Sequence, residues 1–291
     1  MVSLPSWEVN RYVRLALGVV CALVLAACQK SAGTETAGTA RAGTTAAAPT
    51  PVPDDAEAIG FDVSHYQPKV DWAAARAAGR NFVFIKATES AAKVDPHFTQ
   101  HWGDAAKAGF IRGAYHFYRP EADALEQARL FVKTVQLGPE DLPPVLDVEV
   151  LDGRSAQEVV EGVKVWLAHV EQAMGRRPIV YSYTSFLRQH VGEALAAYPL
   201  WLADYEAVVP GAESSWTFWQ YGIGDVTGEA SCMDEDRFMG TVADLRVFAK
   251  NGVPPTRRVS PPKGAKPPQC PRPTESAEAR KPASQVSSSV K

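Results

Sequence analysis

The sequence predicts an α/β protein: a single (β/α) barrel of about eight strands, TIM-like, with irregular late strands and fewer helices in its second half. Three observations carry that expectation. Short runs rich in β-branched and aromatic residues alternate with amphipathic stretches, the pattern of parallel strands joined by right-handed crossovers. The stretch from residue 56 to 252 lies between two low-complexity ends, which leaves one domain of a size that suits a single core. Acidic residues recur at the C-terminal ends of the predicted strands, where (β/α) barrels build their sites.

At the N-terminus, Arg11 and Arg14 precede the apolar run "LALGVVCALVLAAC". A basic region, an apolar stretch too short and Ala-rich to span a membrane comfortably, and small residues together predict a signal peptide over residues 1–27. Its ending, Leu25 to Cys28, resembles the bacterial lipobox. That resemblance implies cleavage before Cys28, lipidation of Cys28, and an exported lipoprotein anchored to a membrane. Gln29 after it fits outer-membrane sorting if the host is Gram-negative.

Residues 28–55 are mostly Ala, Gly, Thr and Pro, and residues 253–291 are rich in Pro, Ser and basic residues. Neither can bury enough apolar surface to offset its ordering entropy, so a disordered linker and a disordered tail are expected. The tail holds eight Lys/Arg against two Asp/Glu, and residues 1–53 hold four against two. With a total of -3, the domain between them carries -11. So acidic a domain lacks the cationic surface that nucleic-acid binding needs, and a monomer is expected. Cys21 leaves with the signal and Cys28 is lipidated, which leaves Cys232 and Cys270 with their pairing open. No Cys/His spacing suggests a metal, and no cofactor is expected.

The predicted strands are "AIGFDVS" (58–64), "FVFIKAT" (82–88), "RGAYHFY" (112–118), "PPVLDVEV" (143–150), "PIVYSYT" (178–184), "PLWLADY" (199–205), "WTFWQYG" (216–222) and a short last strand around 232–236. The predicted helices are 70–78, 98–108, 122–137, 156–174 and 186–196, with Pro and Gly at the joins. In "PPVLDVEV", residues two apart share a face. Asp147, Glu149 and Val145 therefore point one way, and Leu146, Val148 and Val150 point toward the covering helices. Asp62, Asp204 and Asp234 end other strands, with Glu235 and Asp236 beside the last. Aromatics accompany these acids: Tyr66, Tyr115, Phe117, Tyr118, Tyr181, Tyr183, Trp201, Tyr205, Trp219 and Tyr221. Carboxylates supply acid/base chemistry, and flat rings suit the apolar faces of pyranoses, so the pattern points to a sugar site.

With these motifs the domain resembles the glycoside hydrolase family 25 lysozymes, the Chalaropsis-type N-acetylmuramidases. The resemblance rests on "GFDVSHYQPKVDW", "FVFIKATES", "GFIRGAYHFYRP", "PPVLDVEV", "PIVYSYTSF", "LWLADY", "WTFWQYG" and "MDEDRF", and covers residues 59 to 249. It implies hydrolysis of the β-1,4 bond between N-acetylmuramic acid and N-acetylglucosamine in peptidoglycan glycan strands, without metal or cofactor. By position it makes Glu149 the general acid, Asp147 its acidic neighbour, and Asp62 and Asp234 further catalytic carboxylates. Tyr66, Glu89, Tyr115, Tyr118, Tyr183, Trp201, Asp204, Tyr205, Trp219 and Gln220 become substrate-binding candidates. Glu89 has a competing structural role as a partner of Lys86.

The chain departs from the family at Asp236, where an amide is common, at the added Glu235, and at Ser90, where Gly is common. A family 18 chitinase pattern wants Asp at 142 and 145, where this chain has Leu142 and Val145. A wall-binding lipoprotein that does not cut is the remaining alternative, and the intact set of four carboxylates argues against it.

Overall fold

The computed structural model describes residues 52–205, 216–226 and 232–256. The signal peptide, Cys28, most of the linker, Cys270 and most of the tail lie outside the described residues.

Among the described residues, nine strands form one sheet: β1 (Glu57–Val63), β2 (Phe82–Glu89), β3 (Lys93–Val94), β4 (Ile111–Phe117), β5 (Val145–Asp147), β6 (Ile179–Tyr183), β7 (Leu200–Ala203), β8 (Trp216–Asp225) and β9 (Cys232–Thr241). Eight of them close a barrel in the order β1-β9-β8-β7-β6-β5-β4-β2, and a β1–β2 pairing completes the ring. β3 is a two-residue antiparallel extension at the end of β2. β9 runs antiparallel to both β8 and β1, and the other pairings in the ring are parallel. The late irregularity expected from the sequence is this reversal.

Strand alternation builds two apolar layers. Inside the barrel, Phe82, Phe84, Tyr115, Val145, Tyr181, Trp201, Phe218 and Phe238 pack together. Such large rings need small residues opposite: a Cβ at Gly60 would lie 2.6 Å from the Phe82 ring, and one at Gly113 would lie 2.6 Å from Phe84. Outside, Phe61, Val83, Ile85, Leu146, Val148 and Val180 meet the helices α1 (Trp72–Ala77), α2 (Phe98–Lys107), α3 (Ala124–Thr134) and α4 (Ala156–Met174). Val145 lies in the inner layer and Leu146 and Val148 in the outer one, as alternation requires.

Several elements differ from the sequence expectation. β5 is only three residues long: Pro143 and Pro144, with no N–H to give the ladder, hold back its start, and it ends at Asp147. Glu149 therefore lies beyond the strand. The helix expected over 186–196 is a chain of turns: α5 (Thr184–Phe186), a π-turn over Leu187–Val191 and a 3-10 turn over Gly192–Leu195. The last strand is ten residues long, not short.

The sequence reading missed α6 (Val242–Asn251), whose Val242, Leu245, Phe248 and Ala249 pack into the inner layer. Its start is a capping box in which Thr241 and Asp244 exchange bonds. The folded unit also begins inside the expected linker. The Asp54 carbonyl accepts from Ala243 N–H at 2.9 Å, and its carboxylate pairs with Arg246 at 2.6 Å.

Candidate active site

The carboxylates gather where the parallel strands end. β1 and β9 lie antiparallel with Asp62 directly opposite Asp234. Asp147 ends β5, paired with Phe117 on one side and Tyr181 on the other. The ring of Tyr115 links these positions. Its phenol is raised well above its usual range, first by burial and then by the charges of Asp62, Asp147, Asp95 and Asp234. One buried phenol thus feels three of the four carboxylates expected to be catalytic.

Glu149 stands apart from this floor. It is half-buried, as are Asp62 and Asp234, whereas Asp147 is buried. The Tyr183 hydroxyl, on an exposed ring, donates to the Glu149 carbonyl at 3.3 Å. Burial, followed by the Glu149 charge, raises the Tyr183 phenol. The arrangement is an acidic floor, in which Asp147 is buried and Asp62 and Asp234 are half-buried, with the half-buried Glu149 past the end of β5.

Gln220, nearly fully buried on β8, is the hub of the floor. Its Nε2 donates to Asp62 Oδ2 at 2.6 Å. Its Oε1 accepts from the Tyr181 hydroxyl at 2.9 Å and lies 2.7 Å from the Tyr205 hydroxyl. Tyr205 also reaches Asp234 Oδ1 at 2.6 Å, so it bridges β8 to β9. Trp201 Nε1 donates to Asp236 Oδ1 at 2.8 Å. Asp204 is held from two sides: its carboxylate accepts from Thr184 Oγ1 and its carbonyl from Trp219 Nε1, both at 2.9 Å. Dense hydrogen bonding of this kind fixes the directions of Asp62, Asp204, Asp234 and Asp236 before any ligand arrives.

The remaining candidates divide by exposure. Tyr66 is 60% exposed and its ring lies 4.2 Å from that of His65, so it presents an open face. Trp201, Trp219 and Tyr118 are buried. Trp201 stacks on Phe84 at 4.2 Å between centroids, which makes it packing beneath the site rather than an open platform. Glu89 accepts from Lys86 at 2.7 Å and Lys93 at 3.0 Å, the structural pairing that competed with substrate contact. Despite the burial that opposes them, these bonds lower its carboxyl to about 2.

The departures also find places. Glu235 points outward, away from the acidic floor, where it pairs with Arg80 and accepts from the Tyr221 hydroxyl. Its charge is therefore paired outside the barrel. Ser90 takes the left-handed conformation, φ 53°, that explains a preference for Gly there. Cys232 is disulfide-bonded, and the other cysteines lie outside the described residues.

Sequence reasoning underused Tyr181 and Asp236, although each sits at the right alternation to face inward. It missed Asp95, which accepts from the His65 and His97 backbone N–H groups and lies 2.9 Å from His65 Nδ1. Asp95 follows β3 on a loop, so no strand pattern marks it. Among the described residues, no group of three or more His, Cys, Asp or Glu is arranged to hold a metal ion.

The profile of the glycosyl hydrolases family 25 matches residues 61–228. Among curated proteins, Lysozyme M1 of Streptomyces globisporus is 33% identical over 217 residues, covering 68% of this chain and 74% of its own. The N,O-diacetylmuramidase of Chalaropsis sp is 35% identical over 181 residues, covering 55% of this chain and 86% of its own. YegX of Escherichia coli K12 is 39% identical over 196 residues, or 65% of this chain and 72% of its own. Among solved structures, the bacterial lysozyme of Streptomyces coelicolor superposes with a TM-score of 0.64 at 33% identity, covering 69% of this chain and all of the other. A family GH25 lysozyme from Aspergillus fumigatus gives 0.60 at 30% identity, covering 67% of this chain and 99% of the other.

Proposed function

The chain belongs to glycosyl hydrolase family 25, and from that premise we propose how its carboxylates divide the work of a lysozyme. The protein is a peptidoglycan hydrolase that cleaves the β-1,4 bond between N-acetylmuramic acid and N-acetylglucosamine. The observation that supports the division is position: Asp62, Asp147 and Asp234 all act on the one buried phenol of Tyr115, whereas the half-buried Glu149 lies beyond the end of β5, beside the exposed Tyr183.

Glu149 donates its proton to the glycosidic oxygen as the C1–O bond breaks. The 2-acetamido carbonyl oxygen of the muramic sugar bonds to C1 from the other face, and Asp147 orients that amide through its N–H. The positive charge that develops on the sugar gains from the surrounding carboxylates, which are already held in place by Gln220 and Tyr205. Water then attacks C1 and displaces the acetamido oxygen, whose C1–O bond breaks to restore the amide, while the Glu149 carboxylate takes the water's proton. Tyr66 and Tyr183 offer the exposed rings against which pyranose faces pack.

The assay is digestion of purified peptidoglycan by the domain, with muropeptides read by mass spectrometry. Products ending in reducing N-acetylmuramic acid are expected. Binding without such products would favour the wall-binding alternative.

We also propose that Cys28 is lipidated and tethers the enzyme to a membrane outside the cytoplasm. The support is the "LAAC" ending after a basic, apolar leader. No helix among the described residues is long and apolar enough to cross a membrane. Cys28→Ser should move the protein from the membrane fraction to the soluble one; retention in the membrane would exclude lipidation as the anchor.

A further inference from the structure

Asp236 has no part in the steps above, yet its surroundings are unusual. It is completely buried. It stands on β9 opposite Gly60 of β1 and Gln220 of β8, two residues beyond Asp234 on the same inner face. Oδ1 accepts from Trp201 Nε1 at 2.8 Å. Oδ2 is shielded from solvent and has no hydrogen-bond partner among the described residues.

An ionised carboxylate needs donors at both oxygens, and burying one without a donor is strongly unfavourable. The groups facing Asp236 add to that penalty. Asp62 approaches from β1, Asp234 lies on its own strand, and Glu235 is adjacent on the outer face. β7 and β8 contribute the neutral Trp201 and Gln220. The nearby cations Arg80 and Arg237 are on the outside, paired with Glu235 and Glu57. Burial first, then the Asp62 charge, push the Asp236 carboxyl well up; the Trp201 bond opposes this, and Asp234 and Glu235 add to it.

We propose that Asp236 is a positioning residue that works as a neutral carboxylic acid, holding the Trp201 indole and keeping one more negative charge out of the Asp62–Asp234 cluster, so that hydrolysis fails on the alkaline side when Asp236 ionises. The inference rests on the hydrolase reading above. Its route to the chemistry is short. Trp201 meets the Tyr181 ring at 4.5 Å, the Tyr181 hydroxyl donates to Gln220, and Gln220 holds Asp62. A charge on Asp236 would repel Asp62 directly and strain the packing that aims it.

The test is the pH profile of muropeptide release by the wild type, Asp236→Asn and Asp236→Ala, with circular dichroism to confirm folding. The amide keeps an acceptor for Trp201 and a neutral donor at the Oδ2 position, so Asp236→Asn should retain kcat/KM within about threefold at neutral pH. Its alkaline limb should lie at least about one pH unit higher, because position 236 can no longer ionise and only loss of the Glu149 proton then sets the limb. Asp236→Ala leaves the Trp201 N–H without its acceptor and should lose about tenfold or more at every pH. A folded Asp236→Asn as impaired as the alanine variant would overturn the proposal, and so would an alkaline limb that does not move.

A second measurement needs neither variant nor activity. Carbon-13 spectra of wild-type protein labelled at aspartate should show one carboxyl still protonated at neutral pH that titrates only in alkali. Its absence would overturn the proposal. Its presence in a wild type that releases no muropeptides would count against the hydrolase reading instead.

Discussion

β5 and β9 carry the same spacing of acids and use it in opposite ways. "DVE" places Asp147 on the strand and Glu149 beyond it; "DED" places Asp234 near the mouth and Asp236 below it. β5 runs parallel to its neighbours, so moving forward along it leads out of the barrel. β9 runs antiparallel, so the same step leads inward. The second acid is therefore half-exposed in one case and completely buried in the other. Chain direction, not residue type, separates a group that can give a proton to a substrate from one that must keep its own.

The sharpest break of that comparison is Glu149→Gln. The amide cannot supply the proton, and muropeptide release should fall by about 10²–10⁴-fold, the range for a lost general acid. The melting temperature should stay near wild type, because the side chain is half-exposed. A variant of near-normal activity would remove Glu149 from the mechanism and with it the contrast to Asp236.

The pH behaviour of the two strands must next be separated from that of the scaffold. His116 is fully buried between Thr88, at 2.7 Å, and Gln127, at 3.0 Å, and stacks on Trp166. Burial is the main cause that lowers its imidazole to about 4, with Gln127 opposing. Below the ordinary value near 6.5 the unfolded chain binds this proton and the folded one does not. Stability from this group is thus full above 6.5 and is lost as pH falls toward 4. The loss should amount to at most about 3 kcal/mol. Denaturant melts across that window should show it, and His116→Gln should flatten it. The alkaline limb assigned to Asp236 should be untouched.

Glu235→Gln probes the outer face of β9. It weakens the pairing with Arg80 and the bond from Tyr221, at an expected cost of about 1–3 kcal/mol in chemical denaturation. Its alkaline limb should stay close to that of wild type, unlike that of Asp236→Asn. If both variants shift the limb equally, the two faces of β9 are not electrically distinct. The smallest effect is expected at Ser90, φ 53°. Ser90→Gly relieves the left-handed strain but gains chain entropy when unfolded, for a net stabilisation of about 0.5 kcal/mol. A melting temperature that falls would show that the Ser90 side chain makes a contact worth more than the strain.

Much of this site was legible before folding. Alternation put Val145 and Asp147 on one face and Leu146 and Val148 on the other, and the layers agree. The helix over 156–174 was read to the residue, because Ser155 caps it and Gly175 ends it. The helix expected over 186–196 was not continuous. Local periodicity carries no information on a chain that must pass through π and 3-10 turns to reach β7. Glu89 was ambiguous in sequence, and only the approach of Lys93 from β3 resolved the pairing.

The sequence by itself determined the kinds of groups present and which of them share a strand face, because alternation and side-chain chemistry are local properties. It placed acids at strand ends, aromatics beside them and one apolar face against the helices. Only the tertiary structure decided depth and company. Pairing directions sent Glu149 to the rim and Asp236 to the floor, and barrel closure set Asp62 opposite Asp234. Burial and the fields of neighbouring charges depend on residues far apart in the chain, so which carboxyl stays protonated is a property of the closed barrel and not of any motif within it.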